Sequence, residues 1–343
     1  MTSGPLTLRR LLAWCAGLGA LLLLALAVGT TFGAGEVSLL RLFGGRAPLS
    51  DVESAILFRV RLPRVLLAAV LGGSLSAAGV VFQAMLRNPL ADPYVLGVSG
   101  GASIGGVLAL LFGLGAGGFL GGFGVHALAF LGALGALVLI RWVATVDGRL
   151  TVFTMLLTGA VFNAFSGALI YFLQSIASLE QLHSMVFYLM GSIPSFGYGT
   201  VAALAATASV AVLALWSLAR DYNTLSLGEE SAQQLGVDVE GLKRRTFFLG
   251  CLLTGLSVAA AGLIGFVGLV VPHLLRLLLG SDHRLLLPTA FLGGAGFLVA
   301  ADLLARLVVA PNEIPVGVIT ALAGGPFFLY LMRRGRGRYG AEA

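Results

Sequence analysis

The stretch from Thr246 to Leu279 reads TFFLGCLLTGLSVAAAGLIGFVGLVVPHLLRLLL, and its length constrains the architecture of the whole chain. As one α-helix, these 34 residues would be about 51 Å long. The hydrocarbon core of a bilayer is only about 30 Å thick, so one crossing uses about 20 apolar residues. The stretch must therefore fold back, and a turn near Gly262 and Gly265 would give one full span and a shorter return.

Basic residues flank this stretch on both sides. Lys243, Arg244 and Arg245 precede it, and Arg276 and Arg284 mark its end. Positively charged residues are retained on the cytoplasmic side of a membrane, so both flanks should lie on that side. An even number of crossings between them is the consequence.

The composition agrees with an integral membrane protein. Hydrophobic residues make up 58% of the 343 residues and charged residues 10%, with a mean hydropathy of +0.99. A chain of this composition is not soluble, and its apolar runs leave no polar block long enough to fold alone. We therefore predict one all-α integral membrane domain over residues 1–343. The net charge of +6 does not indicate nucleic acid, because the basic residues form short groups between apolar runs.

Ten membrane-spanning helices are predicted in all. The N-terminal apolar run exceeds the ~7–15 residues of a signal-peptide core, so we favour a retained helix over a signal peptide. Pro311, Asn312, Glu313 and Pro315 turn the chain into the last span. Two of the spans are the halves of the stretch Thr246–Leu279. The others are Leu11–Phe32, Val65–Leu86, Tyr94–Gly113, Phe119–Ile140, Leu150–Leu173, Thr200–Leu218, Leu285 to about Arg306, and Val316–Met332.

The distribution of basic residues orients these helices. On the ten-helix model only six of the 21 Lys and Arg residues lie on the side opposite the termini: Arg41, Arg46, Arg59, Arg61, Arg64 and Arg306. Both termini are therefore predicted to be cytoplasmic. Within the third span, glycine or alanine recurs every fourth residue from Gly97 to Gly113, which favours close helix packing over a phosphate-binding loop.

Several kinds of chemistry are missing from the sequence. The chain has a single lysine, Lys243, in no phosphate-binding motif, so ATP hydrolysis is not expected on this chain. No acidic residue or lysine lies near the middle of a span, which argues against an ion-coupled carrier. The four histidines show no ligand spacing, and Cys15 and Cys251 lie in apolar segments, so no metal site is predicted. A secondary carrier or channel, and an intramembrane enzyme, remain the alternatives to a transport subunit powered by a partner.

Polar motifs along the chain give a more specific indication. They are, in chain order, Arg61-Leu-Pro-Arg64, Arg87-Asn-Pro-Leu-Ala-Asp-Pro93, Leu96-Gly-Val-Ser99, Leu227–Gly236, Gly265–His273, Asp282-His-Arg284, Ala301-Asp302 with Arg306, and Glu313-Ile-Pro-Val-Gly317. With these motifs in this order, the sequence resembles the FecCD-type permeases, which are membrane subunits of importers for ferric siderophores, haem and cobalamin. The resemblance covers most of the chain from about residue 56 and implies the type II ABC importer permease fold with ten helices.

The longest polar segment is cytoplasmic and spans about residues 221–243. Its stretch Leu227–Leu235 predicts a short helix that exposes Glu229, Glu230, Gln233 and Gln234. The resemblance implies that this is the coupling helix for an ATPase subunit, whereas a solvated connector is the alternative. The residues assigned to coupling are Gly228, Glu229, Glu230, Ser231, Ala232, Gln234, Leu235 and Gly236.

Arginines on the outer side are the second feature. Arg61 and Arg64 begin the second span on one helix face, and Arg306 ends the ninth. Exposed guanidinium groups pair readily with carboxylates, and in the resembling family these positions meet the substrate-binding protein. Interfacial snorkelling, or a local pair such as Asp302 with Arg306, is the alternative.

Two segments are candidates for the inner gate. The resemblance assigns Asn88 and Leu90, in the proline-containing loop after the second span, and Thr151, Val152 and Phe153 at the start of the fifth. Val152 and Phe153 depart from the small hydroxyl residues of the vitamin B12 transporter. Thr158 and Asn163 put polar groups on the fifth helix, where the family's pathway runs, although hydrogen bonding between helices would also explain them.

The resemblance also implies an assembly. It predicts a homodimer of this chain with two ATPase subunits and one substrate-binding protein in a bacterial inner membrane. ATP and Mg²⁺ are expected on the ATPase, with no cofactor on this chain. A ferric siderophore is the first cargo candidate, followed by vitamin B12 and haem.

Overall fold

The computed structural model describes residues 7–33, 50–114, 123–146 and 148–339. Within these ranges the chain forms thirteen longer helices, a 3₁₀ turn at Pro93–Leu96 and one short hairpin of strands. The helices are α1 Leu8–Thr31, α2 Asp51–Met85, α3 Val98–Leu111, α4 Phe123–Ala144, α5 Val152–Ser175, α6 Leu179–Leu189, α7 Tyr198–Ser217, α8 Ala219–Leu225, α9 Glu229–Gln234, α10 Val239–Ala261, α11 Val267–Leu279, α12 His283–Leu307 and α13 Val316–Tyr339. Strands β1 Thr145–Val146 and β2 Arg149–Leu150 pair antiparallel between α4 and α5.

The stretch Thr246–Leu279 breaks where predicted, and its two parts belong to α10 and α11. Helix α10 ends at Ala261, and Gly262 follows in the left-handed region with φ 71°. A Cβ on Gly262 would lie 1.9 Å from the carbonyl oxygen of Tyr188, so only glycine fits there. Phe266 also has a positive φ, of 68°, immediately before α11 begins. With 13 residues α11 is the shorter return that the span length requires.

Each predicted span that the structure describes overlaps a helix. Six helices are long and apolar enough to cross a membrane, namely α1, α2, α4, α5, α7 and α12. Helices α3 and α11 and the first part of α13 are apolar but shorter, and α10 carries Glu240, Lys243, Arg244 and Arg245 near its start. The count of ten crossings stays a prediction. The predicted starting point Phe119 and the residues Arg41 and Arg46 lie outside the described part of the chain.

Helix α2 occupies the centre of the bundle, because its apolar surface is buried nearly all round. It packs against α12, α10 and α11. Glycines allow these backbones to approach closely: a Cβ on Gly79 would lie 1.8 Å from the carbonyl oxygen of Gly268. The predicted packing face of α3 is also found, since a Cβ on Gly105 would lie 2.1 Å from the carbonyl oxygen of Leu128 on α4.

Helix α5, by contrast, keeps one face open. Along it, large apolar side chains are exposed at four-residue spacing, at Phe153, Leu157, Val161 and Phe165. In a membrane, such an apolar face is suited to contact with lipid or with another protein. Helix α5 therefore has a surface available for a partner in the membrane.

Candidate functional site

Helix α9 forms a short element beside the bundle. It begins after Gly228, which has φ 113°, and it ends before Gly236, which has φ 87°. The observed helix has six residues and is shorter than the predicted helix Leu227–Leu235. Leu227 and Leu235 flank it instead of belonging to it. Both of these leucines are exposed, whereas Ala232 faces inward and is fully buried. The element thus presents an exposed surface whose apolar ends are Leu227 and Leu235 and whose polar middle is Glu230, Ser231, Gln233 and Gln234.

Glu229 does not belong to this exposed surface, which corrects the sequence prediction. Its Oε2 atom lies 2.6 Å from Nζ of Lys243, and its side chain is 30% exposed. The Lys243 side chain is 5% exposed. A buried ammonium group is costly without an opposite charge close by, so Lys243 draws Glu229 toward the bundle.

Lys243 connects further, to the start of α5. Its Nζ atom lies 3.3 Å from Oε1 of Glu240, one turn earlier on α10. The other oxygen of Glu240 accepts a hydrogen bond of 2.8 Å from the backbone N–H of Leu150 in β2. Leu150 directly precedes the candidate gate segment 151–153, so a continuous polar chain joins α9 to that segment.

A cavity of about 450 Å³ lies beside this polar chain. The gate segment and the coupling helix line the same space, which brings together two sets of residues that the sequence predicted separately. The cavity is lined by Arg149, Leu150, Thr151, Val152, Phe153, Glu229, Gln233, Glu240 and Lys243.

The gate segment itself is held by its backbone and leaves its side chains accessible. Thr151 donates its N–H to the carbonyl oxygen of Ala144 at 3.1 Å, closing the hairpin between α4 and α5. The Phe153 side chain is 73% exposed, Thr151 is exposed, and Val152 is half-buried. Thr158 follows half-buried on α5. A gating role for these residues stays a prediction.

The loop after α2 lies near the coupling helix. Arg87 adopts a positive φ of 49°, and the Asn88 side chain accepts a hydrogen bond of 2.9 Å from the N–H of Leu90. The Nη1 atom of Arg87 lies 4.0 Å from the position that a Cβ would take on Gly228. The loop that holds Asn88 and Leu90 therefore lies at the same end of the bundle as α9.

Asn163 has a defined structural partner. Its Nδ2 atom donates a hydrogen bond of 2.9 Å to the carbonyl oxygen of Tyr94, in a 3₁₀ turn at Pro93–Leu96. Of the two explanations that the sequence left open for Asn163, hydrogen bonding between elements is the one observed. The bond fixes α5 against the segment that leads into α3.

Arg64 and Arg306 lie in an internal ion-pair network and Arg61 is buried, so the exposure that the docking prediction assumed is not found. Nε of Arg64 and Nε of Arg306 each lie 3.0 Å from an oxygen of the fully buried Asp302. Arg64 also pairs with Glu313 at 2.6 Å. Arg61 and Arg306 are almost wholly buried, and the Arg64 side chain is 14% exposed. The docking role of these residues stays untested.

Backbone carbonyl groups at the end of α1 complete this network. Arg306 donates to the carbonyl oxygens of Phe32 and Gly29 at 3.0 and 2.8 Å, and Arg61 donates to that of Thr31 at 2.9 Å. Helix ends offer unpaired carbonyl groups, and a cation is favoured there by the helix dipole. The cluster therefore fastens α1 to α2 and α12.

A further polar contact holds α8, the helix that precedes the coupling segment. Asn223 on α8 donates to Oδ1 of Asp282 at 2.8 Å, in the turn between α11 and α12. Arg284 pairs with the same carboxylate at 2.6 Å. Hydrogen bonds from Arg284, reinforced by Asn223, lower the pKa of Asp282 to about 2. The Asp282-His-Arg motif thus anchors the coupling segment to the bundle.

Sequence reasoning missed the connection through Lys243 and Glu240. The signal was present, since these are an acidic and a basic residue three apart at the end of the polar segment, and Lys243 is the only lysine. The hydrogen bond between Glu240 and Leu150 could not be predicted, because the donor is a backbone N–H group 90 residues away. Among the described residues, no group of three or more His, Cys, Asp or Glu side chains could hold a metal ion.

Comparisons with known proteins identify the family of this chain. The model of the FecCD transport family matches residues 17–334. Hemin transport system permease protein HmuU of Yersinia pestis is 40% identical over 330 residues, covering 92% of this chain and 94% of HmuU. Vitamin B12 import system permease protein BtuC of Vibrio cholerae is 42% identical over 288 residues, covering 83% of this chain and 85% of BtuC.

A solved structure supports the same assignment. It is an inward-facing ABC transporter assigned to the metal-chelate type, and it matches with a TM-score of 0.82 at 33% identity. The match covers 93% of this chain and 98% of the other. The chain belongs to the FecCD transport family.

Proposed function

We propose that this chain is the membrane-spanning permease subunit of an ATP-driven ABC importer. The observation that carries the proposal is α9, an exposed six-residue helix with accessible Leu227 and Leu235 at its ends, in a chain of a transport family. A rigid helix outside the bilayer can dock on a soluble ATPase and pass on its motion. The chain itself would do no covalent chemistry, and ATP and Mg²⁺ would bind the ATPase.

The proposed assembly has two copies of this chain, two ATPase subunits and one substrate-binding protein. Each copy would cross the inner membrane of a bacterial cell ten times, with both termini and α9 on the cytoplasmic side. The basic residues around α10 support this orientation, because Lys243, Arg244 and Arg245 lie close to α9 in the chain. The residues assigned to coupling and gating would then act at the cytoplasmic end.

Docking of the binding protein is proposed at the opposite end, at the network of Arg61, Arg64 and Arg306. Glu313, whose side chain is 44% exposed, holds Arg64 in this structure. A carboxylate of the binding protein would replace Glu313 on Arg64, exchanging one ion pair for another. Charge reversal at Arg64 should weaken docking most at low salt, and unchanged affinity there would contradict the role.

We propose a metal chelate as cargo. Ferric siderophores stay the first candidate, because siderophore importers are the commonest members of the family. Hemin and vitamin B12 are the alternatives, since HmuU and BtuC are named for them. The deciding measurement is binding of ferric siderophore, hemin and cobalamin to the soluble binding protein encoded beside this chain.

The coupling assignment is tested by Glu230→Arg combined with Gln234→Arg. Both side chains lie on the exposed surface of α9, so the change should abolish co-purification of the ATPase and ATP-driven uptake into proteoliposomes. Glu180→Arg, on the exposed start of α6, is the matched control and should leave both unchanged. Normal uptake by the double variant would refute the coupling role. Uptake into vesicles that lack the ATPase would instead indicate a secondary carrier or channel.

A further inference from the structure

Lys243 is the only lysine of the chain, and it is buried where a charged group needs partners. Its two partners lie on different elements: Glu229 at the start of α9 and Glu240 on α10 itself. Loss of the Glu229 contact would leave the buried ammonium group with the longer Glu240 contact of 3.3 Å, which compensates its charge less well. Movement of α9 away from Lys243 is therefore unfavourable.

The same pair reaches the gate segment. Glu240 accepts the N–H of Leu150 at 2.8 Å while its other oxygen faces Lys243. The distances along the path, from Glu229 through Lys243 and Glu240 to Leu150, are 2.6, 3.3 and 2.8 Å. Three consecutive contacts of hydrogen-bond length thus separate the coupling helix from the residue that precedes Thr151.

A cavity beside this path leaves room for movement. The cavity of about 450 Å³ borders Glu229, Glu240 and the segment 151–153. Further along, beyond Lys243, α10 is closely packed, since a Cβ on Gly250 would lie 2.5 Å from the ring of Phe82. Close packing resists displacement of that part of the helix. A shift of α9, passed on through the first turns of α10 that carry Glu240 and Lys243, would consequently be taken up by the hairpin and the start of α5, beside the cavity.

We propose that Lys243 and Glu240 form a mechanical link that transmits movement of α9 to the gate segment 151–153. The inference rests on the proposed function, in which α9 meets the ATPase and this segment closes the pathway. Lys243 is a positioning residue here, acting through Glu240 and the Leu150 N–H and touching no cargo. Without the link, ATP hydrolysis continues but no longer moves the gate.

The test uses the complex with its ATPase, reconstituted in nanodiscs, with Phe153→Cys as reporter and Cys15 and Cys251 replaced by Ala. The labelling rate of this cysteine by a maleimide is measured with and without Mg·ATP and vanadate, alongside ATP hydrolysis. Lys243→Met should lose the ATP-dependent change in labelling while ATP hydrolysis persists. Lys243→Arg should restore it, because the arginine keeps the charge. Arg245→Met is the matched control, since it removes an exposed positive charge from the same helix.

The proposal is overturned if Lys243→Met retains the same ATP-dependent labelling change as Arg245→Met. Failure of the proposed function looks different, because ATP would then not alter labelling in the unsubstituted complex, or the ATPase would not co-purify. If Lys243→Met does not fold, Glu240→Gln serves as the second variant. It keeps an oxygen for the Leu150 N–H but removes the charge facing Lys243, and the same loss is expected.

A measurement without any substitution is also decisive. Because Lys243 is the only lysine, acylation by an N-hydroxysuccinimide ester, read at that peptide by mass spectrometry, reports its exposure. The link predicts that Lys243 stays protected both with and without Mg·ATP and vanadate, because α9 and Lys243 move together. Acylation that appears only with ATP would mean that α9 leaves Lys243 behind, and the link would be refuted.

Discussion

The carboxylate of Asp302 lies 3.0 Å from Nε of Arg64, joining α12 to α2 at a point that solvent does not reach. Its second oxygen pairs with Arg306, one turn further along α12. Two guanidinium groups thus share one buried anion, and their remaining N–H groups are directed to Glu313 and to the carbonyl groups that end α1. One acidic side chain therefore holds three helices together.

Asp302→Asn should destabilise the protein strongly. The substitution keeps the shape of the side chain but removes the buried carboxylate that Arg64 and Arg306 share, so that Arg64 keeps Glu313 while Arg306 loses its ion pair. Breaking such a buried pair costs on the order of 3–5 kcal/mol. We expect a large drop in the unfolding temperature of the detergent-purified protein, measured by size-exclusion chromatography after heating. Glu313→Gln is the control: it lies on the same network but is partly exposed, so a loss of about 0–1 kcal/mol is expected. Equal losses for the two variants would contradict the network described.

Gly79→Ala should also destabilise, through the contact between α2 and α11. The added methyl group would meet the carbonyl oxygen of Gly268 and force the two backbones apart. Overpacking of this kind costs typically about 1–3 kcal/mol. Gly135→Ala on α4 is the matched control, since nothing lies within 4 Å of its Cβ position. The same thermal assay distinguishes them, and an unfolding temperature for Gly79→Ala as high as that of Gly135→Ala would show that the helices are not in close contact.

Asp282 should make stability depend on pH in an acidic window. Its pKa is lowered to about 2 in the folded protein, against ~3.9 for an unfolded aspartate. Because the folded state binds the proton less tightly, the stabilisation is complete above about pH 4 and is lost as the pH falls toward about 2. The difference in unfolding temperature between the wild type and Asp282→Asn should therefore shrink over that window. Asp221→Asn on α8 is the control, and a difference from wild type that shrank equally there would remove the assignment to Asp282.

The helices of this fold could be predicted because membrane thickness limits the length of each span. The 34 residues from Thr246 to Leu279 had to break, and glycine marked the place at Gly262. Burial of the outer arginines could not be predicted in the same way. Arg64 and Asp302 are 238 residues apart in the sequence. The acceptors at the end of α1 are backbone carbonyl groups, which every residue has, so no residue type indicates them. The positions of the arginines and the family resemblance suggested an exposed docking surface. The local pair of Asp302 with Arg306, left open as the alternative, is present, and the tertiary structure adds partners from α1 and α2.

The candidate site was predictable in part for a related reason. Glycine at positions 228 and 236 delimited α9, but a helix of six residues is too short for periodicity to reveal which side is buried. Glu229 was therefore expected on the exposed side, and Lys243 pulls it inward. The proximity of α9 to the gate segment depends on a backbone hydrogen bond between Leu150 and Glu240, which no residue pattern encodes.

Val161→Cys tests the proposed homodimer along α5. Its side chain is 61% exposed, in line with Phe153, Leu157 and Phe165, and the proposed dimer encloses the pathway along this helix. Two copies of the residue facing each other across a two-fold axis form a disulfide only when their Cα atoms come within about 7 Å. We expect copper phenanthroline to produce a cross-linked dimer of the Val161→Cys protein in membranes, with Cys15 and Cys251 replaced by Ala, detected on a non-reducing gel. Val138→Cys on α4 is equally apolar and is 64% exposed, but it lies on a different helix and should stay monomeric. The two positions are similarly exposed, so a difference in cross-linking reports proximity between the two copies. A cross-link at Val138→Cys and none at Val161→Cys would therefore place the dimer contact on α4.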